Sequence, residues 1–119
     1  MTVLNTEFKQ GQVWWVCPPE RANIPDPRRQ LVLIVQADYF NQLNLPTVVC
    51  VPINYNWRAA EKPGYVMLPP RDTKLKRTAV ANVTRLFAID KRLFSEYVST
   101  IPTWLLESVL DGVQEVLGR

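Results

Sequence analysis

Two valine-rich runs constrain this chain most: residues 31–36 (LVLIVQ) and 47–53 (TVVCVPI), joined by one polar loop, 37–46 (ADYFNQLNLP). Consecutive strands with a connection this short most often pair antiparallel. The start of the first run and the end of the second then lie at one edge of a sheet. Arg28 and Arg29 stand before the first run, and Asn54, Tyr55 and Asn56 follow the second. Planar cationic forks beside amide and hydroxyl donors are a way of holding a phosphate. That corner is the candidate site.

The other segments supply the rest of a small sheet. Residues 12–17 (QVWWVC) are β-branched and aromatic, and Pro18-Pro19 ends them. Residues 18–30 (PPERANIPDPRRQ) hold four prolines and predict a stiffened, exposed connection. Residues 65–68 (YVML), 78–84 (TAVANVT) and 85–89 (RLFAI) read as strands, and Asp90 as the N-cap of one turn reaching Phe94. The final segment reads as a helix. Pro102 suits its first turn, apolar residues recur at Leu106, Val109, Leu110, Val113, Val116 and Leu117, and Gly118 suits its stop. Trp104 and the stripe Leu106, Val109, Leu110 and Val113 are expected in the core or in a dimer surface, and of Trp14 and Trp15, on alternate faces, one is expected in the core. The other is a candidate stacking platform or dimer contact. Five to seven strands, one substantial helix and no βαβ alternation predict an α+β, mainly β fold. It is a strongly bent antiparallel sheet or partly open barrel carrying a C-terminal helix, in one domain over 1–119.

Composition narrows the chemistry. The 119 residues include no His, which removes a histidine-pair ribonuclease and a Ser–His–Asp triad. Cys17 and Cys50, the only cysteines, lie in separate apolar runs and read as small buried hydrophobes; together with the missing His they argue against a zinc site. No apolar run reaches the ~20 residues of a membrane span, and residues 1–10 lack a signal-peptide pattern, so a cytoplasmic protein without a membrane partner is expected. Charge is uneven. Residues 57–92 carry nine Lys or Arg against three acids (+6), whereas 93–119 carry Arg119 against four acids (−3). The basic middle is a candidate face for a polyanion.

In this order the pieces resemble the MazF/PemK family of toxin endoribonucleases. Gly11-Gln12-Val13-Trp14 matches the family's opening strand, and Arg29-Gln30-Leu31-Val32-Leu33-Ile34-Val35 its Arg-Pro-led strand. Asp38-Tyr39-Phe40-Asn41 matches an Asp-x-x-Asn segment, Pro52-Ile53-Asn54-Tyr55 a strand ending Pro-(Ile/Val)-Thr-Ser, and Ala88-Ile89-Asp90-Lys91 a Thr-Ile-Asp-Lys-like element. A basic turn and strand at 77–84 and the closing helix also correspond. The resemblance implies an SH3-like barrel that forms a homodimer and cleaves single-stranded RNA with no metal or other cofactor, the ribose 2′-hydroxyl attacking the adjacent phosphate. It also implies a cognate antitoxin, whose acidic segment would displace the 18–30 loop and cover Arg29.

The same resemblance places an Arg and a Thr at the reacting phosphate. Arg29 suits the first role, or Arg28 if the register shifts by one; Asn54 stands where the family has Thr. Tyr55, Asn56, Lys76, Arg77, Asn82 and Thr84 are assigned to RNA binding, Asn82 and Thr84 standing where some members have Arg and Asp. Glu20, Asp26 and Tyr55 are the candidate general bases. Two alternatives stay open: a catalytically impaired member that binds antitoxin or RNA, and a CcdB-like gyrase poison.

Overall fold

The computed structural model describes residues 7–18 and 28–119. The 18–30 connection therefore lies largely outside the described residues, as do residues 1–6 and the candidate bases Glu20 and Asp26. Seven strands form one sheet: β1 (Gln12–Val16), β2 (Gln30–Ile34), β3 (Thr47–Asn54), β4 (Tyr65–Leu68), β5 (Ala79–Asn82), β6 (Phe87–Asp90) and β7 (Phe94–Thr100). Their order is β4-β5-β3-β2-β1-β7, and β6 also pairs with β3. Every pairing is antiparallel, and the sheet is not closed.

The eight-residue β3 organises the bend. Its first half, Thr47 to Cys50, pairs with β6, and its end, Ile53 and Asn54, pairs with β5. Along its other side runs β2, with Leu31 opposite Ile53 and Ile34 opposite Cys50, which is the pairing expected from the two valine-rich runs. Those runs are continuously apolar because both of their faces are covered. Toward the helix, Leu31, Leu33, Val51 and Ile53 join Ala79, Ala81, Val83, Leu105 and Val109 in one core cluster. On the far face, Val32, Ile34, Val48 and Cys50 pack with Phe8, Trp14, Val16 and Ile89 in a second. Val32, Leu33, Ile34 and Val51 are fully buried, each worth roughly 1.5–3 kcal/mol of transfer free energy.

The helix α3 (Thr103–Val116) starts after Pro102 and stops at Gly118, whose φ of +77° is left-handed backbone. Val109 is buried, while Leu106, Leu110 and Val113 flank the core. All four residues of the expected stripe thus meet the core, while Trp104, Val116 and Leu117 are exposed. Two single helical turns, α1 (Asp38–Asn41) and α2 (Pro70–Thr73), lie in connections. The Asp-x-x-Asn motif is structural here. Asn41 is fully buried, donating to the Gln36 carbonyl and Asp38 Oδ1, and Asp38 Oδ1 accepts from the Gln10 N–H.

Two sequence expectations change. Residues 78–89 are two strands separated by a 3-10 turn, Val83–Arg85, because the Asn82 side chain accepts from the Thr84 N–H and bends the chain. Asp90 does cap a turn, Lys91–Leu93, but strand β7 follows it, unforeseen. As an edge strand with mostly exposed side chains, β7 lacks the apolar run that marks β2 and β3.

Candidate phosphate-binding edge of the sheet

The start of β2 and the end of β3 meet at one edge, as strand pairing required. Beyond the last paired residues, Leu31 and Ile53, stand Gln30 and Asn54. Gln30 closes the ladder with its side chain, its Nε2 donating to the Ile53 and Leu31 carbonyls at 2.7 Å each. Side chains alternate across a strand, so Arg29 shares the helix face with Leu31, whereas Gln30 and Asn54 share the far face with Val32 and Cys50.

The contacts of Arg29 agree with that geometry. Its guanidinium lies 4.1 Å from the Trp15 ring centroid, and its Nη1 donates to Glu96 Oε1 at 3.1 Å. Trp15 packs against the helix-side cluster, so its ring is already covered by Arg29, while Trp14 is the buried member of the pair. Asn54 is exposed, and its Oδ1 accepts from the Asn56 N–H at 2.8 Å in a local turn. Its Nδ2 makes no hydrogen bond among the described residues. Arg29 and Asn54 thus share an edge but not a face, which corrects the expectation that they converge. A step of one residue along a strand reverses the side-chain direction.

On the far face the neighbours of Asn54 are different. A cavity of about 390 Å³ is lined by Gln30, Pro52, Arg85, Leu86 and Phe87. A second, of about 340 Å³, lies on the other side of Gln30 and Phe87 and includes Arg28, Val16, Ile89, Asp90 and Leu93. Of the two arginines expected at the site, Arg28 therefore lies on the Asn54 face. Arg85, Gln30 and Phe87 were not foreseen. Their signal was the same alternation: counted from Asn54, they fall on its side once β2, β3 and β6 are in register. Asp90 offers no base here, because hydrogen bonds from the Arg92 side chain and N–H hold its carboxyl below the usual carboxylate range. A general base works best with a pKa near the operating pH.

The remaining candidates divide. Tyr55 packs against the helix-side cluster with the Arg77 guanidinium 4.3 Å from its ring centroid, and Asn56, Lys76 and Arg77 are exposed. Beside them Arg58 lies 5.4 Å from the Trp57 ring, extending a basic, aromatic rim. Asn82, by contrast, is buried; its Oδ1 accepts from the Thr84 N–H and from Thr84 Oγ1 at 2.6 Å, and its Nδ2 reaches Tyr65 Oη at 3.4 Å. Asn82 and Thr84 are spent on each other, and what they shape is the turn that carries Arg85. Cys17 and Cys50 are buried and outside any disulfide, and burial pushes the Cys50 thiol pKa far up. Among the described residues no three His, Cys, Asp or Glu side chains gather as metal ligands, and no helix is long and apolar enough to cross a membrane.

Residues 9–117 match the family described as PemK-like, MazF-like toxin of type II toxin–antitoxin system. Endoribonuclease MazF6 of Mycobacterium tuberculosis and endoribonuclease MazF2 of Mycobacterium bovis are each 31% identical over 110 residues, covering 92% of this chain and 96% of theirs. Among solved structures, a mycobacterial endoribonuclease in complex with its cognate antitoxin superposes with a TM-score of 0.76 at 19% identity, covering 93% of this chain and 95% of that one. MazF from Deinococcus radiodurans (Form-I) gives 0.71 at 19% identity, covering 99% and 100%. At that identity these structures speak for the fold.

Proposed function

The chain belongs to the PemK-like, MazF-like toxins of type II toxin–antitoxin systems, and from that premise we propose that it cleaves single-stranded RNA at the Gln30–Asn54 edge. The observation that carries this reading is the pairing of endoribonuclease relatives at 31% identity with a sheet edge whose outward groups are phosphate donors. Cleavage breaks the P–O5′ bond as the ribose 2′-oxygen forms its bond to phosphorus. The 2′-hydroxyl proton leaves to a base, and the departing O5′ takes up a proton. The products are a 2′,3′-cyclic phosphate and a 5′-hydroxyl, and no step is routed through a metal.

In this scheme Arg28 and the Asn54 amide hold the non-bridging oxygens, where negative charge grows. Preorganised donors at such a position supply a large share of rate enhancement. Phe87 and Pro52 give the groove an apolar wall, which limits water around the reacting group. Arg29, turned to the other face of the same edge, with Tyr55, Asn56, Lys76 and Arg77, grips the flanking backbone electrostatically. Asn82 and Thr84 enter as supports of the turn between β5 and β6.

The partners proposed are single-stranded RNA, a second copy of the chain and a cognate antitoxin, and the compartment is the cytoplasm. The antitoxin complex of the mycobacterial structural relative supports such a partner, and a basic edge is suited to an acidic segment. The endoribonuclease relatives favour cleavage over a binding-only member or a gyrase poison. The test is digestion of a long single-stranded RNA of mixed sequence by the purified chain in EDTA. Discrete fragments with cyclic-phosphate and 5′-hydroxyl ends are expected; an intact substrate would reject the reading.

A further inference from the structure

We infer that Arg85 is a catalytic residue of this toxin, supplying a second guanidinium, beside that of Arg28, that stabilises the scissile phosphate on the Asn54 face; the inference rests on the cleavage reading above. The phosphate of that reading lies beside the Asn54 amide, and Arg29, on the neighbouring strand end, is committed to Glu96 and Trp15 on the other face of the sheet. On the Asn54 face, Gln30 occupies the β2 position beside β3, and its Nε2 is held by two carbonyls. Arg28 stands on the β2 flank of this face, so a second cation, able to clamp the phosphate from the opposite side, must come from the other flank of β3. Arg85 does so, lining a cavity with Gln30 and Pro52. Pro52 precedes Asn54 by two residues on the same face, about 7 Å along the strand, within the length of an arginine side chain.

Three features fit Arg85 for the task. It is exposed, and among the described residues its guanidinium has no hydrogen bond or ion pair. Among the described residues no carboxylate lines its cavity. Its backbone is fixed: Asn82 caps the 3-10 turn, and the buried Val83 donates its N–H to the Gly64 carbonyl at 2.8 Å. Leu86, Phe87 and Pro52 line the same cavity and give it an apolar wall, beside which a bidentate guanidinium–phosphate contact is strengthened.

The test compares wild type, Arg85→Ala, Arg85→Lys and, as a charge control on the exposed Arg71, Arg71→Ala. Each full-length chain is measured for RNA cleavage in EDTA, for thermal unfolding, and for binding to a 2′-O-methyl RNA oligonucleotide pool as a function of salt. Arg85→Ala should lose about 100-fold in kcat with little change in unfolding midpoint. Arg85→Lys, which keeps the charge but not the fork, should recover only a minor part. Arg71→Ala should cleave like wild type. Cleavage by Arg85→Ala within about threefold of wild type, or an equal loss from Arg71→Ala, would overturn the assignment. If wild type itself cuts nothing, the cleavage reading fails separately. The salt dependence of binding then decides: a slope reduced by about 0.7 in Arg85→Ala sustains the phosphate contact, and an unchanged slope removes it.

Discussion

Arg29 and Glu96, 67 positions apart in sequence, form an exposed ion pair of 3.1 Å, and the Arg29 guanidinium rests on the Trp15 ring between them. Glu96 faces Trp15 across β1 and β7, so the pair is built by strand register. With side chains 38% and 61% exposed, it contributes at most about 1 kcal/mol.

Because Arg29 is directed at Glu96, its loss should act on RNA affinity and not on the chemical step. Arg29→Ala is expected to weaken binding several-fold at low salt, with the effect fading as salt rises, while kcat stays within about threefold. Glu96→Gln, which releases the guanidinium, should tighten binding under the same conditions. A fall of two decades in kcat for Arg29→Ala would move the reacting phosphate to the helix face.

Asn54 presents one donor, its Nδ2, because the other end of the amide is held by the Asn56 N–H. Asn54→Ala should lower kcat by about one to two decades, corresponding to the loss of a hydrogen bond worth about 1–3 kcal/mol. Asn54→Thr should lie between alanine and wild type, since a hydroxyl both closes the local turn and donates. Cleavage by Asn54→Ala at the wild-type rate would place the chemistry elsewhere.

Gly64 links stability to the site. Its φ is +89°, and an added Cβ would collide with the Thr84 methyl group on the turn that carries Arg85. Gly64→Ala should destabilise the fold by at least about 2 kcal/mol, left-handed backbone alone costing about 1–2 kcal/mol for a residue with a Cβ. Urea unfolding should show a lower midpoint at an unchanged slope. An unaltered midpoint would mean that the Thr84 turn yields easily.

Cys50 is fully buried opposite Phe87 of β6, and its thiol pKa is raised by desolvation. Native protein should resist alkylation at Cys50 at neutral pH, as mass spectrometry of iodoacetamide-treated protein would reveal. The sign of the pH effect follows. The folded state keeps this proton beyond the ~8.5 at which an unfolded cysteine releases it, so the contribution is fully present below that pH and declines as pH rises above it. Cys50→Ser, judged by unfolding between pH 7 and 10, should flatten that decline.

Much of the architecture was legible without coordinates. Residues 31–36 and 47–53 announced central strands because burial on both faces demands unbroken apolar sequence. Asp90 capped a turn and Gly118 ended the helix for local reasons, a side-chain acceptor and a left-handed backbone. Strand β7 escaped because exposed edge strands carry little hydrophobic pattern, whereas Trp104, expected in the core or a dimer surface, is exposed on α3 and so outside the core.

The sequence by itself determined the strand runs, the pairing of the two central strands, the edge where charge and amides gather, and the family pattern. All of these depend on local composition or on order along the chain. Only the tertiary structure decided which of two adjacent arginines shares a face with Asn54, that Glu96 claims the other, and that Arg85 arrives from a turn between β5 and β6. The physical reason is the pleat. Successive side chains leave a strand in opposite directions, so an error of one position in register exchanges the two faces, and register is settled by packing between strands distant in sequence.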